Sequence, residues 1–336
     1  MTPAVVVTPN PAIDVTYDVA AARLGSTNRV RNVHKRAGGK GLNVARVLET
    51  LGHATTSVLP LGGAAGEWVD QALRADGLAA VVSATTCETR TTVTISEPGR
   101  HPTVFAEPGA ALLADEWLRL TSAVAVALST ANATAAARDR PDPLAGWGAP
   151  GRSSMLVVSG SFPPETDVAV VGDWIASAAA LAIPTLVDSS GDALIAAARA
   201  GADIVKPNAD ELRDATGAST VQEGMRVLLN LGARLVVVSR GPDGLVATDG
   251  DRTWRSPAVA EVTGNPTGAG DAATAGLVAA LTRGMPIDVA LTWAAAAGAA
   301  AVLRHTAGEI ELSDFTSFVD GSSVGGPGPE HPRETS

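Results

Sequence analysis

From residue 156 onward, short β-branched runs alternate with longer stretches of helical period. Strand-like runs at 156–159, 185–187, 204–206 and 235–239 are separated by helical patterns at 167–181, 191–200, 210–216 and 222–231. This alternation narrows the possible folds more than any other feature. Strands that each need a helix to return are parallel neighbours, and their helices lie on the faces of the sheet. The chain is therefore expected to be α/β, with a mostly parallel sheet covered on both sides. Runs at 4–8 and 55–61, with helices at 42–51 and 67–76, carry the rhythm into the N-terminal half. Residues 245–248 and 253–256 read as a hairpin, and 115–129, 288–303 and 312–319 as further helices.

Two stretches break the rhythm. Residues 14–36 and 90–106 alternate apolar and polar side chains, and Glu97-Pro98-Gly99-Arg100 has the composition of a hairpin turn. They are expected to form a small antiparallel lid over the carboxyl edge of the sheet, where open α/β sheets bind ligands. With 336 residues, 46% of them hydrophobic, the chain can bury one large core, placed at 1–320. Residues 132–154 are expected to be a long loop, and the Gly/Pro/Ser-rich 321–336 a disordered tail. A net charge of −10 without a dense Lys/Arg run argues against nucleic acid as a partner. The Ala-heavy stretch 289–303 contains Gly298 and reads as a core helix rather than a membrane span. No basic segment precedes the first apolar run, and Cys87 is the single cysteine. A soluble, cytoplasmic protein without membrane attachment is expected.

Two glycine clusters open helices. Gly264-Asn265-Pro266-Thr267-Gly268-Ala269-Gly270-Asp271 follows an apolar alternating run and precedes an Ala-rich helix at 272–281. Glycines admit a ligand close to the backbone, and a helix start offers free N–H groups and a positive dipole end. Asp271 is either an ordinary first-turn acid or a general base beside an anion cradle. Gly38-Gly39-Lys40-Gly41-Leu42-Asn43 is either a tight turn or a backbone approach for a sugar, with the Asn43 amide able to donate and accept. Asp14, just past the first strand, is either a turn residue or an acceptor from two hydroxyls. Lys206-Pro207-Asn208-Ala209-Asp210-Glu211 is either a capped helix start or a place where Asn208 and Glu211 orient the waters of Mg²⁺. Ser239-Arg240-Gly241-Pro242-Asp243-Gly244 is either a hairpin entry or a loop beneath nucleotide phosphates.

Taken together, these stretches resemble the PfkB (ribokinase-like) carbohydrate kinases. Gly38, Gly39, Gly41, Asn43, Ala45, Gly52 and Gly62 have the residues and spacing of that family's first signature. Residues 265–271, continued by Ala275-Gly276-Leu277, match its second. The opening 8–14, the turn 159–164 and Val187-Asp188-Ser189-Ser190-Gly191 are similar to its phosphosugar branch, which phosphorylates fructose or tagatose phosphates. The resemblance implies a three-layer α/β/α sandwich and a kinase using ATP and Mg²⁺. It implies Asp271 as base and the amides of Gly268, Ala269 and Gly270 as anion hole. Asp14, Gly39, Lys40 and Asn43 would hold the sugar. Lys206, Asn208, Ser239, Gly241, Gly244, Thr267 and Gly298 would serve the nucleotide, and Glu211 with Asn208 would hold Mg²⁺ through water. Arg90 of Thr89-Arg90-Thr91, and Arg29 reaching across a homodimer formed by the lid, would take the acceptor's own phosphate. Thr92 and Thr94 depart from the Asn and Lys often found there, which leaves a kinase of an unphosphorylated sugar, nucleoside or secondary metabolite as the alternative, with a non-catalytic sensor as the alternative of another class. No Gly-x-Gly-x-x-Gly follows the first strand, which argues against a dinucleotide-binding dehydrogenase.

Overall fold

The computed structural model describes residues 3–136 and 154–323. In chain order the strands are β1 (Ala4–Val7), β2 (Ala12–Val19), β3 (Val30–Gly38), β4 (Thr55–Gly62), β5 (Ala80–Thr85), β6 (Arg90–Ser96), β7 (Thr103–Ala106), β8 (Leu156–Ser159), β9 (Thr185–Asp188), β10 (Ile204–Val205), β11 (Leu235–Ser239), β12 (Leu245–Thr248) and β13 (Thr253–Ser256). The helices are α1 (Lys40–Thr50), α2 (Gly63–Ala75), α3 (Ala114–Ala136), α4 (Val170–Ala180), α5 (Gly191–Arg199), α6 (Ala209–Thr216), α7 (Val221–Leu231), α8 (Ala269–Leu281), α9 (Ile287–Val302) and α10 (Leu312–Ser323).

Nine strands form the main sheet in the order β13-β12-β11-β10-β9-β8-β1-β4-β5. Every pair from β11 to β5 is parallel, and β12 and β13 add an antiparallel hairpin at one edge. Alternation along β1 shows why both faces are covered. Ala4 and Val6 point into a core built with α1, α8 and α9, whereas Val5 and Val7 point into one built with α3, α4, α5 and α7. All four are fully buried, as a central parallel strand requires. The α/β reading and the three layers therefore hold, and among the described residues no helix is long and apolar enough to cross a membrane.

A separate four-stranded sheet, β3-β2-β6-β7, is the lid. Its outer pairs are antiparallel, as the two ribbons predicted, but β2 and β6 join them in parallel. Register sorts its side chains. Asp14 lies opposite Arg36 and Thr92, and Ala12 opposite Arg90, which gives one polar face. Tyr17 opposite Val33 and Ile95, and Val93 opposite Phe105, give the other face its apolar character.

Several boundaries differ from expectation. α2 starts at Gly63 and α8 at Ala269, each about one turn before the first helical pattern, because glycines at a helix start weaken the periodic signal. The alternating residues before Gly264 form no strand; they follow β13 as irregular chain leading into the turn before α8. α3 runs into the expected loop as far as Ala136, and α10 into the expected tail as far as Ser323. The remainder of both stretches, 137–153 and 324–336, lies outside the described residues.

Candidate active site

The parallel strands all end at one edge of the sheet, and the residues singled out in the sequence collect there. Asp271 occupies the first turn of α8, behind an N-cap at Gly268. Gly268 has φ of 82°, and a Cβ there would come within 2.7 Å of the Ala307 methyl, so the turn needs glycine on both counts. The amide of Ala269 donates to the Pro266 carbonyl at 3.1 Å. Among the described residues, no intrachain partner is found for the amides of Gly268 and Gly270, which leaves them available to an anion. Thr267 sits in the same turn, its amide donating to Asn265 Oδ1 at 3.0 Å.

Asp271 is only 6% exposed. Its Oδ2 accepts from Asn43 Nδ2, on α1, at 2.8 Å. Burial pushes its carboxyl from the ordinary 3.8 up to about 7; Lys40 and Asn43 oppose the rise and the carboxylate of Asp188 adds to it. A carboxyl titrating near neutrality, held by one amide at a helix start, is poised to accept a proton.

Beside it lies a buried charge cluster that the sequence reading only grazed. Asp188, at the end of β9, is almost wholly inaccessible. It faces Lys206 Nζ at 3.2 Å and Lys40 Nζ at 3.8 Å, and accepts from Thr274 Oγ1 at 2.5 Å. Burial alone would raise its pKa, but the two ammonium groups and Thr274 hold it below the usual carboxylate range. Lys40 also donates to Glu211 Oε1 at 3.0 Å, and despite desolvation Asp188, Glu211 and Asp271 keep it firmly protonated. Lys40 is thus the cation between the carboxylates. Lys206 is buried against Asp188 rather than directed outward. In the sequence Asp188 stands out only as part of 187–191; a lone Asp after a strand reads like any turn residue and carries no signal of burial.

Asn208 and Glu211 make a capping box at the start of α6. Asn208 Oδ1 accepts from the amides of Asp210 and Glu211 at 2.9 and 2.8 Å, and Glu211 Oε2 accepts from the Asn208 amide at 2.9 Å. The cap fixes Glu211 so that its other oxygen meets Lys40 across the cleft. Ser239 ends β11 and bridges to Asn208. Gly241 opens the short 3₁₀ turn and Gly244 closes it before β12. Gly298 lies within α9 beside the Ala269 carbonyl, where a Cβ would come to 3.2 Å, so it lets α9 pack against the first turn of α8.

The lid supplies Asp14. Gly38 and Gly39 lie against it: a Cβ on Gly38 would overlap the Asp14 carboxyl. Burial raises the pKa of Asp14, while the Gly39 amide and Arg90, Arg46 and Arg36 oppose the rise. The Arg90 guanidinium is well used by the chain itself. It donates to the Asn10 carbonyl at 3.2 and 3.1 Å, to Glu107 O at 2.9 Å and to Thr92 Oγ1 at 3.3 Å. Arg36, which sequence reasoning missed, reaches across the cleft to Glu309 Oε1 at 2.7 Å and Ala307 O at 3.1 Å, tying the lid to the loop beneath α8's N-terminus. Arg29 stands apart. It precedes β3 at the far end of the lid, next to the Val19/Val30 pair, and is exposed, so its own chain does not bring it to Asp271.

Residues 7–138 and 126–313 match the family model described as pfkB family carbohydrate kinase. The ATP-dependent 6-phosphofructokinase isozyme 2 of Escherichia coli (strain K12) is 30% identical over 276 residues, 80% of this chain and 82% of that protein. A tagatose-6-phosphate kinase of Staphylococcus epidermidis is 25% identical over 316 residues, 91% of this chain and 94% of its own. Among solved structures, phosphofructokinase-2 from Escherichia coli in complex with potassium matches with a TM-score of 0.83 at 26% identity, over 96% of this chain and 100% of that one. Arabidopsis thaliana ribokinase complexed with ribose and ATP shares the fold, with a TM-score of 0.68 at 20% identity over 95% of this chain and 99% of that one.

Proposed function

The chain belongs to the pfkB family of carbohydrate kinases, and on that premise we propose that it transfers the γ-phosphoryl group of ATP to a hydroxyl of a phosphorylated ketohexose. Fructose 6-phosphate, fructose 1-phosphate and tagatose 6-phosphate are the acceptors considered. The observation that carries this reading is Asp271: buried at the start of α8, held by Asn43, and pushed up to about 7. Asp271 takes the acceptor proton as the hydroxyl attacks. The free amides at Gly268 and Gly270, with Ala269 and Thr267 shaping the turn, receive the negative oxygens of the phosphoryl group in flight. Asp14, Gly39 and Asn43 orient the sugar, and Lys40 lies between Asp188 and Glu211 where phosphate charge would gather.

The nucleotide runs from Ser239, Gly241 and Gly244 past Asn208 and Gly298 toward α8. Glu211 and Asn208 suit a hydrated Mg²⁺, which takes few protein carboxylates and keeps its waters. When bound, the ion supplies positive charge to the phosphate oxygens. Lys206 acts through Asp188, holding its charge in place for Lys40. The apolar lid face, with Val33 52% and Phe105 57% exposed, supports a homodimer through the lid.

An acceptor panel with ATP, read by ADP release, tests the reaction. Turnover on one of the three ketohexose phosphates, lost in Asp271→Asn, is expected; equal turnover in that variant removes Asp271 as base. One observation favours a second reading, a kinase of an unphosphorylated acceptor. Arg90 already spends most of its donors on Asn10, Glu107 and Thr92, where a phosphate-binding arginine would point them outward. Preference for free sugars or nucleosides in the same panel decides for it.

A further inference from the structure

Away from the cleft's charge cluster, three side chains from distant parts of the chain converge on one point. Asp18 is on β2, His34 on β3, and His305 on the loop after α9. His305 Nε2 lies 2.8 Å from Asp18 Oδ1, and His34 Nε2 3.4 Å from Asp18 Oδ2. One ligand atom from each residue lies within 4.8 Å of the other two. The imidazoles meet edge to face, with centroids 5.3 Å apart. Asn32 Nδ2 donates to Asp18 Oδ2 at 3.3 Å, an outer hydrogen bond of the kind that orients a ligating carboxylate.

We propose that Asp18, His34 and His305 form a binding site for a divalent transition-metal ion, most suitably Zn²⁺. Two imidazoles and one carboxylate are a donor set for Zn²⁺, Ni²⁺ or Cu²⁺, and not for Mg²⁺ or Ca²⁺, which take oxygen ligands. Ligand–metal bonds of about 2.0–2.1 Å require donors roughly 3.3 Å apart around a tetrahedral ion. The histidine–carboxylate separations of 2.8 and 3.4 Å lie on either side of that value, and rotation of the two half-exposed rings would draw in the set of three donors, which now lie within 4.8 Å of one another. Solvent reaches the point, so water can fill the fourth position.

The location gives the site a consequence. Asp18 and His34 belong to the lid, on the polar face that also carries Asp14 and Arg36. His305 belongs to the loop whose next residues touch Arg36 and Gly268, and its carbonyl accepts from Asn265 in the catalytic turn at 2.8 Å. A bound ion therefore fastens the lid to the loop that supports the N-terminus of α8. This effect on the lid rests on the lid covering the acceptor; the binding itself does not.

The test uses the full chain freed of metal with chelator. Zn²⁺ is titrated calorimetrically, and Co²⁺ by its visible absorption, with no nucleotide or sugar present. One equivalent per chain is expected, weakened by more than the roughly 10–100-fold that loss of an outer partner alone costs in His34→Gln and in His305→Gln. Both variants keep the far-ultraviolet spectrum and melting transition of the parent, and Cys87→Ser leaves Zn²⁺ binding unchanged. Amide exchange in 30–36 slows on Zn²⁺ addition in the parent and not in either variant. Failure of Zn²⁺ and Co²⁺ to bind stoichiometrically, or binding that both histidine variants retain, overturns the proposal. Unaltered exchange alongside stoichiometric, histidine-dependent binding overturns only the lid-fastening role. Because no step depends on turnover, the result stands apart from the fate of the kinase assignment.

Discussion

As the proposed base, Asp271 meets two demands that conflict in the folded protein. A base is effective when its pKa lies near the working pH, and burial supplies that shift at the expense of stability. Two consequences can be measured. In activity, Asp271→Asn lowers kcat by roughly 10²–10⁴-fold, while ATP binding, followed calorimetrically, is kept. In the parent, kcat/KM rises with pH up to about 7 and levels above it, because the base must be unprotonated. In stability, the sign follows from the raised value: the folded chain holds a proton that the unfolded chain has released between the ordinary 3.8 and about 7. This group's contribution therefore falls as pH rises through that window and stays low above it. Asp271→Asn, which can still accept from Asn43, melts higher than the parent at pH 8, and the gap closes toward pH 4. Asp188 behaves in the opposite way, since its neighbours hold its pKa down. Asp188→Asn leaves the buried Lys206 without its partner and costs about 3–5 kcal/mol, measurable as a fall in the denaturant midpoint.

At the scale of elements, the cleft depends on a few close approaches between chain segments that leave no room for a side chain. Where β3 turns into α1, Gly38 passes against Asp14 so tightly that a methyl group would overlap its carboxyl. Gly38→Ala is expected to raise the KM for the acceptor several-fold by displacing Asp14, with a smaller effect on the KM for ATP; initial rates with each substrate varied in turn distinguish the two. Such glycines made this part of the site legible in the sequence. Gly38–Gly41 and Gly264–Gly270 leave a spaced pattern because backbone geometry dictates them, and Asn43 and Asp271 are identified by their place in it. The sheet was legible for a related reason, since strands such as β1 are buried on both faces and read as unbroken apolar runs. Arg36, Asp188 and His305 were not legible. Their partners, Glu309, Lys206 and Asp18, lie on other elements, and no local period encodes a meeting between them. The parallel β2–β6 pair was hidden likewise, because it joins two ribbons that each look complete alone.

For the molecule as a whole, the lid poses a question that one chain does not answer. One of its faces closes over the cleft; the other presents Tyr17, Val33, Val93, Ile95 and Phe105 in register, with Val33 and Phe105 more than half exposed. A second lid laid against that face would cover it and create a symmetric interface, in which each contact occurs twice. If such a dimer forms, Phe105→Glu is expected to shift it to monomer in sedimentation, because two carboxylates would enter an apolar contact. The same arrangement gives Arg29 a role. It stands exposed at the far end of the lid, beyond the Val19/Val30 pair and away from its own Asp271. If Arg29 acts on the acceptor phosphate across the interface, Arg29→Ala and Asp271→Asn damage different halves of one composite site. A mixed dimer then contains one cleft with both its Asp271 and the partner's Arg29 intact. Equal mixing and random exchange of the two weakened variants should restore about a quarter of the parent activity at limiting acceptor concentration. Activity that stays at the mean of the two separate variants after exchange, with mixed dimers verified by mass, would confine Arg29 to the surface of its own lid.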